Sequence, residues 1–320
     1  MQEMGMKDLE ETARKVVQQC LNPKEGEEFL VVTDPPTWKI GETLYRAAVS
    51  LNLKAHLLVM PETEKSGAEP TPLVAEAMKA SQIVICPTKH SLTHTIARKE
   101  ACARGARIAT MPGITEDMFL EGAITADYRK LAELTDRIAD ILSRGSKVRI
   151  EKEGRVLELS IEGRKGVSSN GIYHTPGSYG NLPTGEAYIA PVEGSAEGSI
   201  LIDGSLAEYG KVRGPLEVVI RKGLAVEFKG PEADWLKRIL GERPEARNVG
   251  ELGIGTNDKA RLTGIILEDE KVYGTVHIAF GTNSGFGGTV SAGVHIDGII
   301  LKPNLWVDDR RILKDGEFLL

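Results

Sequence analysis

The sequence lacks any apolar run near the ~18–20 residues needed to span a bilayer, and its opening, Met-Gln-Glu-Met-Gly-Met-Lys-Asp, has no signal-peptide core. These absences predict a chain that does not cross a membrane and works in the cytoplasm. Excess positive charge is also missing. The 40 Lys and Arg against 46 Asp and Glu give a formal charge of −6, the opposite of the basic stripe a nucleic-acid groove requires. Cysteine is scarce: Cys20, Cys86 and Cys102 are far apart among apolar neighbours, which excludes a disulfide framework or zinc cluster and reads as buried free thiols. Nucleotide signatures are absent too. There is no Gly-x4-Gly-Lys-Ser/Thr, the first predicted strand leads into Asp34-Pro35-Pro36-Thr37, and Gly253-x-Gly255 leads into Thr256-Asn257 rather than a third glycine. Low-complexity segments and internal repeats are missing as well.

What is present is an ordinary globular composition, 41% hydrophobic and 27% charged over 320 residues, enough for two domains. The first part alternates helix and strand signals. Helical periodicity over 7–20 precedes an apolar strand at 28–33. Helices over 38–50, 71–79 and 93–104 then lead to strands at 56–60, 83–86 and 107–109. Short continuous apolar strands alternating with amphipathic helices predict a parallel sheet with helices on both faces. A long helix over 127–143 closes this α/β domain, placed at 1–145. Beyond it, short alternating runs such as 156–160, 199–203 and 216–220, punctuated by glycine and proline, predict an α+β, mainly antiparallel domain over 146–320, with one helix at 232–240.

Within the second domain several polar residues sit in apolar surroundings. Val294-His295-Ile296-Asp297-Gly298-Ile299 alternates like a strand, which puts His295 and Asp297 on one face. His277 ends a strand-like run over 271–278, and a glycine-rich connection would let the two strands pair. Two imidazoles and a carboxylate are ligands that suit iron, zinc, manganese or cobalt. The pattern equally describes a satisfied core histidine beside a turn aspartate, and spacing leaves both open. Glu186, delivered by Pro183-Thr184-Gly185 to an apolar run, and Glu251, between Gly250 and Leu252, are acids in the same kind of setting; solvated strand ends are the other account of them. His90 and His94 lack a local carboxylate to complete a metal set and read as surface or capping residues.

The stretches Gly-Asn-Leu-Pro-Thr-Gly-Glu (180–186), Gly-Glu-Leu-Gly-Ile-Gly (250–255), His-Ile-Ala-Phe-Gly (277–281) and His-Ile-Asp (295–297), met in this order, resemble the aminopeptidase T and aminopeptidase S family of metallo-aminopeptidases. Leu92-Thr93-His94-Thr95 and 111–116 extend the likeness over most of residues 90–300. The resemblance implies an α/β domain followed by a catalytic domain, a homodimer, and divalent zinc, cobalt or manganese held by Glu186, Glu251, His277, His295 and Asp297. It also implies Glu186 or Glu251 as proton shuttle, and water activated by the metal to release N-terminal residues from peptides. Two departures stand out. A further family glutamate falls on Val272, with Glu270 two residues earlier, and a family tyrosine falls on Ser284. The sequence is also similar to the Fe(II)-dependent dihydroxypyridine dioxygenases, whose iron triad matches His277, His295 and Asp297; there His94 or His174 is a candidate base. The expectation is therefore an aminopeptidase-type hydrolase acting on a small peptide or other small molecule, with a ring-cleaving dioxygenase as the alternative and a non-catalytic metal-binding protein as a third class.

Overall fold

A computed structural model describes residues 2–320, with side chains described from residue 8 onward. It divides into two compact units, Met1–Lys130 with Gly171–Thr184, and Leu131–Asn170 with Gly185–Leu320.

The first unit holds a five-stranded parallel sheet in the spatial order Lys54–Val59, Glu28–Thr33, Ile83–Thr88, Arg107–Pro112, Tyr179–Asn181. Its central strands are apolar on both faces because helices cover both. Leu30, Val32, Val84 and Ile108 pack in one cluster with Val74 and Met78 of the helix Pro72–Ala80 and with Ala97 and Ala101 of the helix Ile96–Ala103. The alternate residues Phe29, Val31, Ile83 and Ile85 are equally buried. This is the α/β layer that the alternation predicts. The helix Ile96–Ala103 begins later than 93 because Thr95 is its N-cap, its hydroxyl accepting from the Arg98 N–H at 3.2 Å.

The second unit is mainly antiparallel, as expected. One sheet has eight strands, in the order Leu224–Lys229, Leu216–Arg221, Glu197–Ile202, Arg155–Ser160, Lys147–Lys152, Asn304–Val307, Arg310–Lys314, Glu317–Phe318. The other has seven: Gly210–Lys211, Ser205–Leu206, His295–Ile300, Val276–Gly281, Val249–Gly255, Glu186–Ile189, Val167–Ser169. Apolar residues of both, among them Ile150, Leu157, Ile200 and Val218 from the first and Ile189, Leu252, Ile278 and Phe280 from the second, share one core.

The units do not divide at residue 145. The helix Tyr128–Arg144 buries Ile138, Ala139 and Leu142 in the core of the second unit, so its body belongs there. The stretch 171–184 returns to the first unit because Tyr179–Asn181 adds a parallel edge strand beside Arg107–Pro112, pairing Ile108 with Tyr179 and Thr110 with Asn181. Among the described residues no helix is long and apolar enough to cross a membrane. Cys20 and Cys86 are buried free thiols as expected, whereas Cys102 is only half-buried.

Candidate metal centre

Strand alternation builds the site. In the seven-stranded sheet Ala187, Ile189, Leu252, Ile254, Val276, Ile278, Phe280, Ile296 and Ile300 face the apolar core. The residues between them face the other way. The register aligns Glu186 with Gly255, Glu251 with Ala279, His277 with Gly253, Asp297 with Ala279 and His295 with Gly281, so four adjacent strands carry all five expected ligands on one face. Glu251 needs an irregularity to be there. Val249, two residues earlier, lies in the core, and period two would send Glu251 after it; a bulge between Val249 and Glu251 reverses the phase at Gly250.

The side chains converge. His277 Nε2 lies 3.3 Å from Glu251 Oε1 and 3.4 Å from Glu186 Oε2. His295 Nε2 lies 3.4 Å from both Glu251 Oε2 and Asp297 Oδ1. His295 Nδ1 is 2.8 Å from the Thr282 carbonyl, which can only accept, so this nitrogen carries a proton in either charge state of the ring and Nε2 is the nitrogen that faces the carboxylates. The His277 ring lies over Gly253, where an added β-carbon would stand 1.9 Å from Nε2. That close approach explains the glycine in Gly253-x-Gly255 without any cofactor. Glu186 and Glu251 are each only 7% exposed, which overturns the account of them as solvated strand ends.

Two residues of the site escape the sequence reading. Lys271 is fully buried; its ammonium donates to Glu186 Oε1 at 2.9 Å and to Glu270 Oε1. Glu270 thereby joins the carboxylates, while Val272 bridges Asn257 and its carbonyl accepts from the Thr275 hydroxyl at 2.7 Å. The expected strand over 271–278 starts later, at Val276, because a helical turn, Ile266–Asp269, occupies the preceding residues and Gly274 turns the chain at φ 73°. Asp269 Oδ1 accepts from the backbone N–H of Thr263 at 2.6 Å and of Gly264 at 3.1 Å, and Glu268 Oε1 from that of Arg261 at 3.1 Å, which ties this turn down.

The electrostatics reflect four crowded acids. Burial opposes protonation of His277, but the Glu251 hydrogen bond and the charges of Glu186, Glu251 and Asp297 outweigh it and push the imidazole up to about 9. His295 rises likewise against burial, to about 10, chiefly through Asp297. Asp297 is held below the usual carboxylate range, since the cations His295, His277 and Lys271 overcome its burial. Glu251 and Glu270 are raised, first by burial; beyond that Asp297 repels Glu251, and Glu186 repels Glu270. For Glu251 burial outweighs the opposing pull of the two histidines.

The donor set fits a divalent cation. Asp297 Oδ1, Glu186 Oε2 and His277 Nδ1 are buried without a hydrogen-bond partner, the ion-pair contacts of the two oxygens being out of hydrogen-bonding alignment. An unsatisfied buried polar group costs about 1–3 kcal/mol, and a cation would satisfy the carboxylate oxygens. Among the described residues two compact triplets could hold an ion: Glu251 with His277 and Asp297, and Glu186 with Glu270 and His277. His295 lies outside both triplets, yet its Nε2 points at two members of the first. His90 is 3.6 Å from Glu62, His94 is exposed, and His174 Nε2 is 2.8 Å from the Gln19 carbonyl; all three belong to the first unit. Ser284 is exposed in the loop between the two histidine strands.

The sequence matches the family profile for 2,5-dihydroxypyridine 5,6-dioxygenase over residues 8–320. The chain belongs to the 2,5-dihydroxypyridine 5,6-dioxygenase family. Among curated relatives, the 2,5-dihydroxypyridine 5,6-dioxygenase of Pseudomonas putida is 26% identical over 168 residues, a match spanning about half of each chain, 47% of this one and 47% of the relative. The solved 2,5-dihydroxypyridine dioxygenase from Pseudomonas putida KT2440 superposes with a TM-score of 0.83 at 18% identity, covering 97% of this chain and 96% of that one. AmpT from Thermus thermophilus superposes with a TM-score of 0.74 at 17% identity, covering 98% and 99%. At such identities the two structures establish a shared fold, and both kinds of relative that the sequence resembles have it. Membership of the dioxygenase family supports an enzyme and favours the alternative reading over the hydrolase.

Proposed function

We propose that the protein is a mononuclear Fe(II) dioxygenase that opens a dihydroxylated nitrogen-containing ring such as 2,5-dihydroxypyridine. The observation that carries the reading is the two-histidine, one-carboxylate set His277, His295 and Asp297 on one sheet face of a chain matching the dioxygenase family over residues 8–320. These three residues would hold the ion. Fe(II) in such a set supplies open positions where a hydroxylated ring and O2 can meet. The protein's own part is orientation and proton handling. The Thr282 carbonyl fixes the tautomer of His295, Gly253 gives the His277 ring its room, and Glu251, whose carboxyl is raised by burial, can hold a proton at Oε1 or Oε2 between the two imidazoles. Phe286 packs edge-on to His295, with ring centroids 6.2 Å apart, and to Tyr188 at 5.3 Å, an apolar wall suited to a flat ring and to excluding water.

The test is oxygen uptake with 2,5-dihydroxypyridine after anaerobic loading with Fe(II), set beside release of N-terminal residues from short peptides with zinc, cobalt or manganese. Uptake that requires Fe(II) and is lost in Asp297→Ala supports the reading; peptide turnover without uptake rejects it. The hydrolase reading keeps one favourable observation, the second triplet Glu186, Glu270 and His277, since a metal pair needs ligands for two ions. A homodimer remains part of the proposal, and light scattering giving only a monomer across a wide concentration range would remove it.

A further inference from the structure

We propose that Lys271 is a built-in cation that takes the place of a second divalent ion, so that the centre holds one ion per chain, on the Glu251 side of His277. Two ligand triplets share His277, and only one of them is already served. The Lys271 ammonium lies within hydrogen-bond reach of both Glu186 and Glu270, the two acids that distinguish the second triplet. Among the described residues no lysine or arginine makes a hydrogen bond or ion pair with the acids of the other triplet, Glu251 with His277 and Asp297, which feels Lys271 only at longer range, and its Asp297 Oδ1 is a buried acceptor without a hydrogen bond.

Lys271 is not free to leave. Its side chain is wholly buried, its backbone N–H donates to the Glu268 carbonyl at 3.0 Å, and its carbonyl accepts from the Asn257 N–H at 2.9 Å. Withdrawing the ammonium would strand the buried Glu186 and the half-buried Glu270 as unneutralised carboxylates. A divalent ion entering beside it would meet like charge at short range in a buried site, where repulsion is poorly screened. Complete burial also argues against Lys271 as a substrate contact; it acts on the centre through Glu186 and Glu270 as a positioning residue.

The experiment counts metal, not turnover. The full-length chain, stripped with chelator and dialysed against Zn(II) or Mn(II), is analysed by elemental stoichiometry, with circular dichroism to check folding. One ion is expected for the natural chain and for Glu270→Gln, two for Lys271→Met, and one again for Lys271→Met combined with Glu270→Gln. Two ions in the natural chain, loss of the ion in Glu270→Gln, or a folded Lys271→Met variant that stays at one would each overturn the proposal. Where Lys271→Met does not fold, the natural chain and Glu270→Gln decide. The inference rests on the metal-binding part of the proposed function but not on its reaction. One ion without oxygen uptake removes the reaction and leaves Lys271 in its role, whereas uptake with two ions removes only the role of Lys271.

Discussion

Gly253 and His277 face each other on neighbouring strands, and the imidazole occupies the space that a side chain at 253 would need: a β-carbon there would fall 1.9 Å from Nε2 and 2.1 Å from Cε1. The glycine is required for room, since its φ lies outside the left-handed region. Gly253→Ala must therefore swing His277 away from Glu251 and Glu186. Misorienting a ligand typically costs about 10–100-fold in metal affinity, and forcing a methyl into a filled site costs roughly 1–3 kcal/mol. Metal titration and a thermal melt read the two effects; wild-type affinity in the variant would contradict this account of the site.

His295→Ala and Asp297→Ala should each lose stoichiometric metal while staying folded. His295 is part-exposed at the edge of the centre, with a side-chain accessibility of 33%, and the apolar face of its strand is untouched by either change. Elemental analysis beside circular dichroism checks this. Full metal retention by either variant removes that residue from the ligand set.

Phe286→Ala should weaken binding of a ring substrate without changing metal content. Edge-to-face aromatic contacts contribute about 0.5–1.5 kcal/mol beyond area burial, equivalent to roughly a 2–12-fold rise in KM. The geometry behind it is the pair of near-perpendicular contacts from Phe286 to Tyr188 and His295. An unchanged KM would mean that the ring binds elsewhere.

Much of this centre is legible in the sequence, for a physical reason. Period-two alternation makes His295 and Asp297 share a face, and an acid flanked by apolar or glycine positions, as Glu186 and Glu251 are, signals burial. Lys271 and Glu270 are not legible in that way. They close the run Glu268-Asp269-Glu270-Lys271, four charged residues in a row without the alternation that would assign them a face, whereas the fold buries Glu268, Asp269 and Lys271 completely. The only available hint is the apolar flanking of that run, Ile265-Ile266-Leu267 before it and Val272 after it. The bulge at Gly250 is likewise a tertiary feature: without it, strict alternation would put Val249 and Glu251 on the same face. The true unit boundary escaped because an edge strand of three residues, Tyr179–Asn181, has too few positions to reveal its pairing partner.

Glu193 supplies a pH test away from the centre. Burial would raise its carboxyl, but the Thr289 backbone N–H at 2.8 Å, the Asn283 amide at 3.0 Å and the Arg164 guanidinium together hold it at about 2, against an ordinary 4.5. A depressed carboxylate contributes stability that is fully present above the unfolded value and lost as pH falls through the folded one. Its contribution should therefore decline from about pH 4.5 toward pH 2. Glu193→Gln should cost roughly 1–3 kcal/mol at pH 7, with the difference from the natural chain shrinking across that window. Denaturant melts at several pH values measure it, and a pH-independent difference would deny the ionised carboxylate its role. Because Asn283 and Thr289 lie in the loop that carries Phe286, the same variant should also raise KM for a ring substrate.

Metal removal should lower the stability of the protein through the second unit. Four carboxylates, Glu186, Glu251, Glu270 and Asp297, outnumber the one ammonium of this pocket, Lys271, an excess of acid that raises the His277 and His295 imidazoles to about 9 and about 10 against their burial. A bound divalent cation reduces that excess and satisfies the bare oxygens of Asp297 and Glu186. Ligand binding to the folded state alone stabilises by RT ln(1 + [L]/Kd), about 2.7 kcal/mol at a free concentration one hundred times Kd. For a unit of this size that is on the order of 5–10 °C in Tm. Scanning calorimetry with and without chelator should show a drop of that order, concentrated in the transition that involves the second unit. In His295→Ala the same chelator should shift nothing, because the ion is already gone. A chelator-induced shift as large in that variant as in the natural chain would mean that the stabilising cation binds elsewhere.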